Sequence, residues 1–105
     1  MSWKIAEQIG YTPITTYWDD FTAVEKRGSV GVRGLARDLF ETSKQDYKVL
    51  TELAMVLNHK SWEHAVTNPN LSAIYSNLYY IYDEKAIEFL QQDKEGLHYY
   101  FKTLD

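Results

Sequence analysis

Apolar residues recur at helical spacing along the stretch from Asp46 to His64. The main stripe consists of Tyr47, Leu50, Leu53, Ala54 and Leu57, and it is widened by Val49, Met55 and Val56. A helix with apolar residues on several faces has to be covered by other elements on several sides. The pattern therefore predicts an axial helix over residues 46–66, around which the rest of the chain packs.

The same spacing predicts three further main helices and a short C-terminal helix. The first begins after Thr15 or Thr16 and ends before Gly28, and the others cover residues 30 or 32 to 43, 69–91 and 94–102. Asp46, Asn68 and Asp93 are suitable N-caps for the last three helices of the chain. No sustained alternation of apolar and polar residues predicts a strand. The expected fold is all-α, a compact bundle of four main helices plus a short C-terminal helix.

Glycines bracket and interrupt the second predicted helix. Gly28 is suited to follow the end of the first helix, because glycine readily adopts a left-handed backbone conformation there. Gly34 lies within the apolar stripe of the second helix and lowers its intrinsic stability by about 1 kcal/mol relative to alanine. We therefore expect that another helix passes close to Gly34.

A chain of 105 residues fits a single domain. We assign residues 15–105 to one helical domain and residues 1–14 to an N-terminal extension that can form a short helix ending at Gly10. The chain contains no cysteine, which excludes disulfides and thiolate chemistry and suits a reducing compartment. Residues 1–10 lack the apolar run of a signal peptide, and no window reaches the roughly 18 apolar residues of a membrane span. We expect a cytoplasmic protein.

The net charge of −4 is unevenly distributed along the chain. Residues 26–48 carry six bases and three acids, which gives this segment a local charge of +3. Four of these bases could contact nucleic-acid phosphates: Arg33, Arg37, Lys44 and Lys48. A nucleic-acid-binding module usually has a dominant basic face, whereas this chain is acidic overall. Weak nucleic-acid binding is one alternative, and ordinary solvated helix surfaces are the simpler interpretation.

No group of residues in the sequence predicts an active site, a metal site or a cofactor site. His59 and His64 are five residues apart, so they do not form the pair four residues apart that a zinc-protease helix provides. We interpret His59 and Glu63 as a surface pair and His64 as a residue at a helix end. Adjacent acids such as Asp19 and Asp20 point in different directions from one helix, so they do not form a catalytic pair. The expected protein is not an enzyme.

Aromatic residues are frequent, with nine Tyr, four Phe and three Trp. Most should pack in the core, but an exposed tyrosine or tryptophan is a good anchor for a protein interface. The candidate protein-binding residues are four aromatic anchors with an acidic rim beside them: Tyr79, Tyr80, Trp62, Tyr99, Asp83, Glu84 and Glu88.

Four segments of the chain together resemble a known family: TTYWDDFTAVEKRG (15–28), DYKVLTELAMVLNHKSWEHA (46–65), LSAIYSNLYY (71–80) and LHYYFKTLD (97–105). Similar segments occur in short all-helical proteins carried on integrative conjugative elements and prophages of gut anaerobic bacteria. Members of that family frequently have a tryptophan where this chain has His59. The family has no assigned activity, so the resemblance implies only a mobile-element accessory protein that acts by binding.

These observations favour a non-enzymatic protein that binds a protein partner. An alternative implied by the resemblance is an inhibitor of host defence, similar to anti-CRISPR proteins. Such an inhibitor could mimic nucleic acid and use the acids of residues 83–95 against the basic channel of a host nuclease. Self-association as a homodimer is also open, because a second copy could cover part of an apolar helix.

Overall fold

The computed structural model describes residues 15–42 and 46–104, which contain five α-helices and no strand. The helices are α1 Thr15–Val24, α2 Ser29–Thr42, α3 Tyr47–Glu63, α4 Pro69–Leu90 and α5 Lys94–Leu104, with a short 3₁₀ turn at Glu25–Arg27. The prediction of an all-α fold is confirmed. The predicted N-terminal extension, residues 1–14, lies outside the described residues.

Three predicted caps form hydrogen bonds at the helix starts. The Asp46 carboxylate accepts from the backbone N–H groups of Lys48 and Val49, at 2.9 and 3.4 Å. The side chain of Asn68 accepts from the N–H of Leu71 at 3.3 Å. Asp93 accepts in the same way from the N–H of a residue three positions later, at 3.0 Å. Each cap satisfies backbone donors that the first helical turn leaves without a partner inside the helix.

The junction between α1 and α2 is tighter than predicted. α1 ends at Val24 and continues as the 3₁₀ turn, so regular helix stops three residues before the predicted end. Gly28 then has a φ of 68°, which fits its predicted role as the residue after a helix end. α2 begins immediately at Ser29, so Gly28 alone separates the 3₁₀ turn from α2.

α3 is the buried axis of the described chain. Every residue from Leu50 to Leu57 is buried, as are Lys60 and Ser61 in its last turn. Each of the other four helices contacts α3, and α4 packs along it most extensively. The predicted axial helix is confirmed, although it ends at Glu63 and residues 64–67 form turns.

α3 contributes residues to two apolar clusters. The larger cluster consists of Phe21, Val32, Ala36, Leu53, Met55, Val56, Leu57, Tyr75 and Leu78. The smaller cluster consists of Leu50, Ala54, Ala86, Leu90 and Tyr100. Phe40 and Tyr79 pack against both clusters and connect them.

The close contact expected at Gly34 occurs instead at Gly31. A β-carbon at Gly31 would lie 2.5 Å from the carbonyl oxygen of Val24 and 2.8 Å from Cβ of Arg27. A β-carbon at Gly34 would have no neighbour within 4 Å. The prediction for Gly34 was wrong because the residues that approach α2 come from the preceding turn of the chain and face its first turn.

Candidate functional site

A polar cluster around Lys60 joins α1, the 3₁₀ turn and the end of α3. The Lys60 side chain is 1% exposed, and its ammonium group donates a hydrogen bond to the hydroxyl of Thr22. The ammonium nitrogen lies 3.3 Å from one carboxylate oxygen of Glu25 and 3.3 Å from one of Glu63. It also lies 4.2 Å from the centre of the Trp18 ring. The buried charge is therefore balanced by two carboxylates and by an aromatic face.

Glu25 connects this cluster to α4. Its Oε2 atom accepts a hydrogen bond of 2.6 Å from the hydroxyl of Tyr75 and lies 3.1 Å from Nε2 of His64. The rings of His64 and Tyr75 are nearly parallel, with centres 5.9 Å apart, and Phe21 packs edge-on against Tyr75. One carboxylate thus links the 3₁₀ turn to both α3 and α4. We call Lys60, Glu25, Glu63, His64 and Tyr75 the buried polar cluster, in which Glu63 alone is exposed and lies at the solvent edge.

The pKa values of the buried polar cluster fit a stabilising role better than acid–base catalysis. Burial alone would raise the pKa of Glu25, but the hydrogen bonds from Tyr75 and His64 and the Lys60 charge outweigh it and lower the pKa. Burial and the Glu25 carboxylate raise the pKa of Tyr75. Both shifts move a pKa further from neutral pH, whereas an acid–base catalyst works best when its pKa is near the working pH.

The sequence interpretation of the histidines was partly correct. His64 caps the end of α3, as expected, but it is mostly buried and bonded to Glu25. His59 packs edge-on against Trp62, with ring centres 4.8 Å apart. Within residues 15–42 and 46–104 no three His, Asp or Glu side chains are grouped so that they could hold a metal ion.

The solvent side of α4 carries exposed apolar and charged side chains together. Tyr80 is 67% exposed, Ile81 47% and Phe89 39%. Exposed Glu84, Lys85 and Glu88 lie on the same side of the helix. Nothing in the described part of the chain forms an ion pair with these three charged groups. We call Tyr80, Ile81, Glu84, Lys85, Glu88 and Phe89 the α4 outer face.

Ile81 and Phe89 continue the helical spacing of apolar residues along α4, yet both side chains are exposed. The apolar stripe of α4 is wide, and one helix side packed on α3 cannot bury all of it. A notch of about 310 Å³ adjoins the α4 outer face, between α4 and the end of α2. It is lined by Phe40, Lys85, Glu88 and Phe89.

The candidate protein-binding residues are distributed between surface and core. Tyr80 and Trp62 are exposed, the latter by 58%, but they lie on different helices. Tyr79 is half-buried and connects the two apolar clusters. Tyr99 is half-buried and packs edge-on against Tyr47, at 5.0 Å between ring centres.

Asp83 belongs to the packing between helices more than to an acidic rim. It is half-buried, and its Oδ1 atom accepts a hydrogen bond of 2.7 Å from the hydroxyl of Tyr100. Burial and this carboxylate raise the pKa of Tyr100. The acidic part of the α4 outer face consists of Glu84 and Glu88 alone.

The basic residues predicted as nucleic-acid contacts are partly described. Arg33 and Arg37 are exposed on α2, and Lys48 is exposed in the first turn of α3. Lys44 lies outside the described residues. Direct binding of nucleic acid by these residues stays a prediction.

No protein-family model, no curated protein and no solved structure matches this chain. The resemblance to proteins of mobile elements therefore stays a prediction. None of the helices in residues 15–42 and 46–104 has both the length and the apolar character that crossing a membrane requires.

Proposed function

We propose that this protein is a non-enzymatic interaction protein that docks a protein partner on the α4 outer face. The observation that carries the proposal is the exposure of Tyr80 and Ile81 side by side, in the middle of the longest described helix. Single exposed apolar residues are normal, but three large ones on the solvent side of one helix, Tyr80, Ile81 and Phe89, make this side a candidate interaction site. Tyrosine is also among the residues that most often anchor interfaces.

The rigidity of α4 supports the same assignment. Tyr75, Leu78, Ala86 and Leu90 are buried on its opposite side, so the backbone that presents the outer face is fixed by the core. A backbone that is already ordered before binding loses little conformational entropy on docking. The buried polar cluster adds a second attachment of α4, through Tyr75 and Glu25.

Crosslinking at a single position tests the proposal in the cells that carry the gene. Benzoylphenylalanine replaces Tyr80 in one chain and Val66, which is 90% exposed, in the matched control chain. We expect a discrete crosslinked adduct from position 80 and none from position 66. Ile81→Ala in the first chain should weaken the adduct, because truncating an interface anchor typically costs at least about 1 kcal/mol of binding free energy. Equal adducts from both positions, or none from either, would contradict the proposal.

A further inference from the structure

The middle of the α4 outer face is acidic. Ile81, Glu84 and Glu88 are separated by three and four residues, so they form one line along the helix. Tyr80 flanks this line on one side, and Lys85 and Phe89 flank it on the other. A partner that covers Tyr80 and Ile81 must therefore also cover two carboxylates that form no ion pair within residues 15–42 and 46–104.

The two carboxylates disfavour those pairings with a second copy of the chain that bring the centres of the two α4 outer faces together. In a parallel pair of α4 helices, Glu84 and Glu88 would each meet their own copies. In an antiparallel pair centred between them, Glu84 would meet the second copy's Glu88. Like charges placed opposite each other in a closing interface oppose association.

We propose that the partner presents a basic amphipathic helix, which lies along α4 and places cations opposite Glu84 and Glu88. This inference rests on the proposed function of the same face. Glu84 and Glu88 are four residues apart, which is slightly more than one helical turn, or about 6 Å along the axis. Lysines or arginines four residues apart on a partner helix have the matching spacing.

The apolar side of such a helix fits the remaining features of the site. One apolar side chain covers Ile81 beside Tyr80, and another enters the notch lined by Phe40 and Phe89. Lys85 and Glu88 both border this notch, so the partner cation opposite Glu88 must lie on the side of that carboxylate that faces away from Lys85. Docking of an amphipathic helix in an apolar groove is a common mode of peptide recognition.

A random peptide library displayed on phage tests the chemistry of the partner. The library is selected on the immobilised full chain and, in parallel, on a Glu84→Lys/Glu88→Lys variant. We expect the wild type to select basic peptides with interspersed apolar residues, and the variant to select acidic ones. The complex with a selected peptide should weaken as salt rises from about 0.1 M to about 1 M, because the Debye length falls from about 10 Å to about 3 Å.

Neutral variants measure the contribution of the two carboxylates. Glu84→Gln/Glu88→Gln should reduce the affinity for a selected synthetic peptide by roughly 2- to 30-fold, which corresponds to two exposed charge pairs. Asp19→Asn/Asp20→Asn removes the same charge from exposed positions on α1 and should leave the affinity unchanged. Equal losses in both variants would overturn the inference, because only overall charge would then matter.

The outcomes separate the inference from the proposed function. If selected peptides bind a Tyr80→Ala/Ile81→Ala variant as well as the wild type, the α4 outer face is not the docking site and both fail. If binding depends on Tyr80 and Ile81 but the peptides are neutral or acidic, only the basic partner is ruled out. If light scattering shows a dimer that depends on Tyr80 and Ile81, the partner on this face is a second copy of the chain and the basic partner helix is ruled out.

Discussion

The side chain of Lys60 carries a charge although it is almost inaccessible to solvent. Such a charge is tolerated because Glu25 and Glu63 balance it and Thr22 accepts one of its hydrogen bonds. Removing one member of a buried ion pair is costly, because the other member keeps its charge without a counterion. Lys60 is therefore a sensitive position for folding, even though it contributes nothing to the exposed surface.

Lys60→Met should lower the free energy of unfolding by about 3 kcal/mol, because Glu25 loses its cation while it stays largely buried. Urea denaturation followed by circular dichroism measures the change. Lys85→Met is the matched control, since Lys85 is exposed, and its effect should stay within about 0.5 kcal/mol. A loss below about 1 kcal/mol in Lys60→Met would show that the ammonium group is not held in the buried polar cluster.

Glu25 should make stability depend on pH in the acidic range. Its pKa in the folded protein is below the ordinary value, so its stabilising contribution is complete above the unfolded pKa of about 4.3. That contribution is lost as the pH falls through the lower, folded pKa. Urea midpoints measured from neutral pH downwards should decline below about pH 4.3 in the wild type.

The same series on two variants isolates Glu25 from the other acids of the chain. Glu25→Gln should lower stability at neutral pH and reduce the acid-dependent decline, because residue 25 no longer titrates. Glu84→Gln, at an exposed position, should leave the decline as it is in the wild type. If both variants keep the full decline, other carboxylates cause it.

At the scale of single helices, the two glycines of α2 should respond oppositely to alanine. Gly31→Ala should destabilise the protein, because its β-carbon would meet the backbone of Val24 at 2.5 Å and that oxygen cannot move freely. Gly34→Ala should stabilise the protein by up to about 1 kcal/mol, because the position is open and alanine favours helix. Thermal unfolding of the two variants measures the shift of each melting temperature relative to the wild type. Two shifts of the same sign would contradict the packing of α1 against α2.

The helices could be predicted from the sequence because their signals are local. Asp46 and Asn68 each bond to backbone groups within three residues, so sequence alone identifies them. Gly31 could not be distinguished from Gly34, because the contact depends on where the junction at Gly28 places Val24 relative to α2. The same reason explains Ile81, whose exposure depends on which side of α4 meets α3.

The buried polar cluster gave no sequence signal, since its members come from distant parts of the chain. Glu25 and Tyr75 are 50 residues apart, and Lys60 and Thr22 are 38 apart. Among the candidate binding residues, Tyr80 was selected for its residue type, and its side chain is exposed. Tyr79 and Tyr99 have the same residue type, but the fold turns them toward the apolar clusters.

At the scale of the whole molecule, one helix runs through both apolar clusters. Leu50 and Ala54 of α3 belong to the smaller cluster, whereas Leu53 and Leu57 belong to the larger one. Phe40 and Tyr79 pack against both. Because α3 cannot lose one cluster without exposing residues of the other, we expect the described chain to unfold in a single cooperative transition.

Tyr100→Phe tests this coupling from the end of the chain. The variant removes the hydrogen bond from Tyr100 to Asp83 and should cost about 1–2 kcal/mol, because a bond to a charged group is lost at a half-buried site. Although the change lies in the smaller cluster, it should shift urea transitions of helix content and of Trp18 fluorescence equally, since Trp18 packs on the larger cluster; every chain compared carries Trp3→Phe and Trp62→Phe so that Trp18 alone is observed. Tyr80→Phe, which alters an exposed hydroxyl, should leave both midpoints unchanged. If the two transitions of Tyr100→Phe have different midpoints, α5 and the smaller cluster unfold independently of the larger cluster.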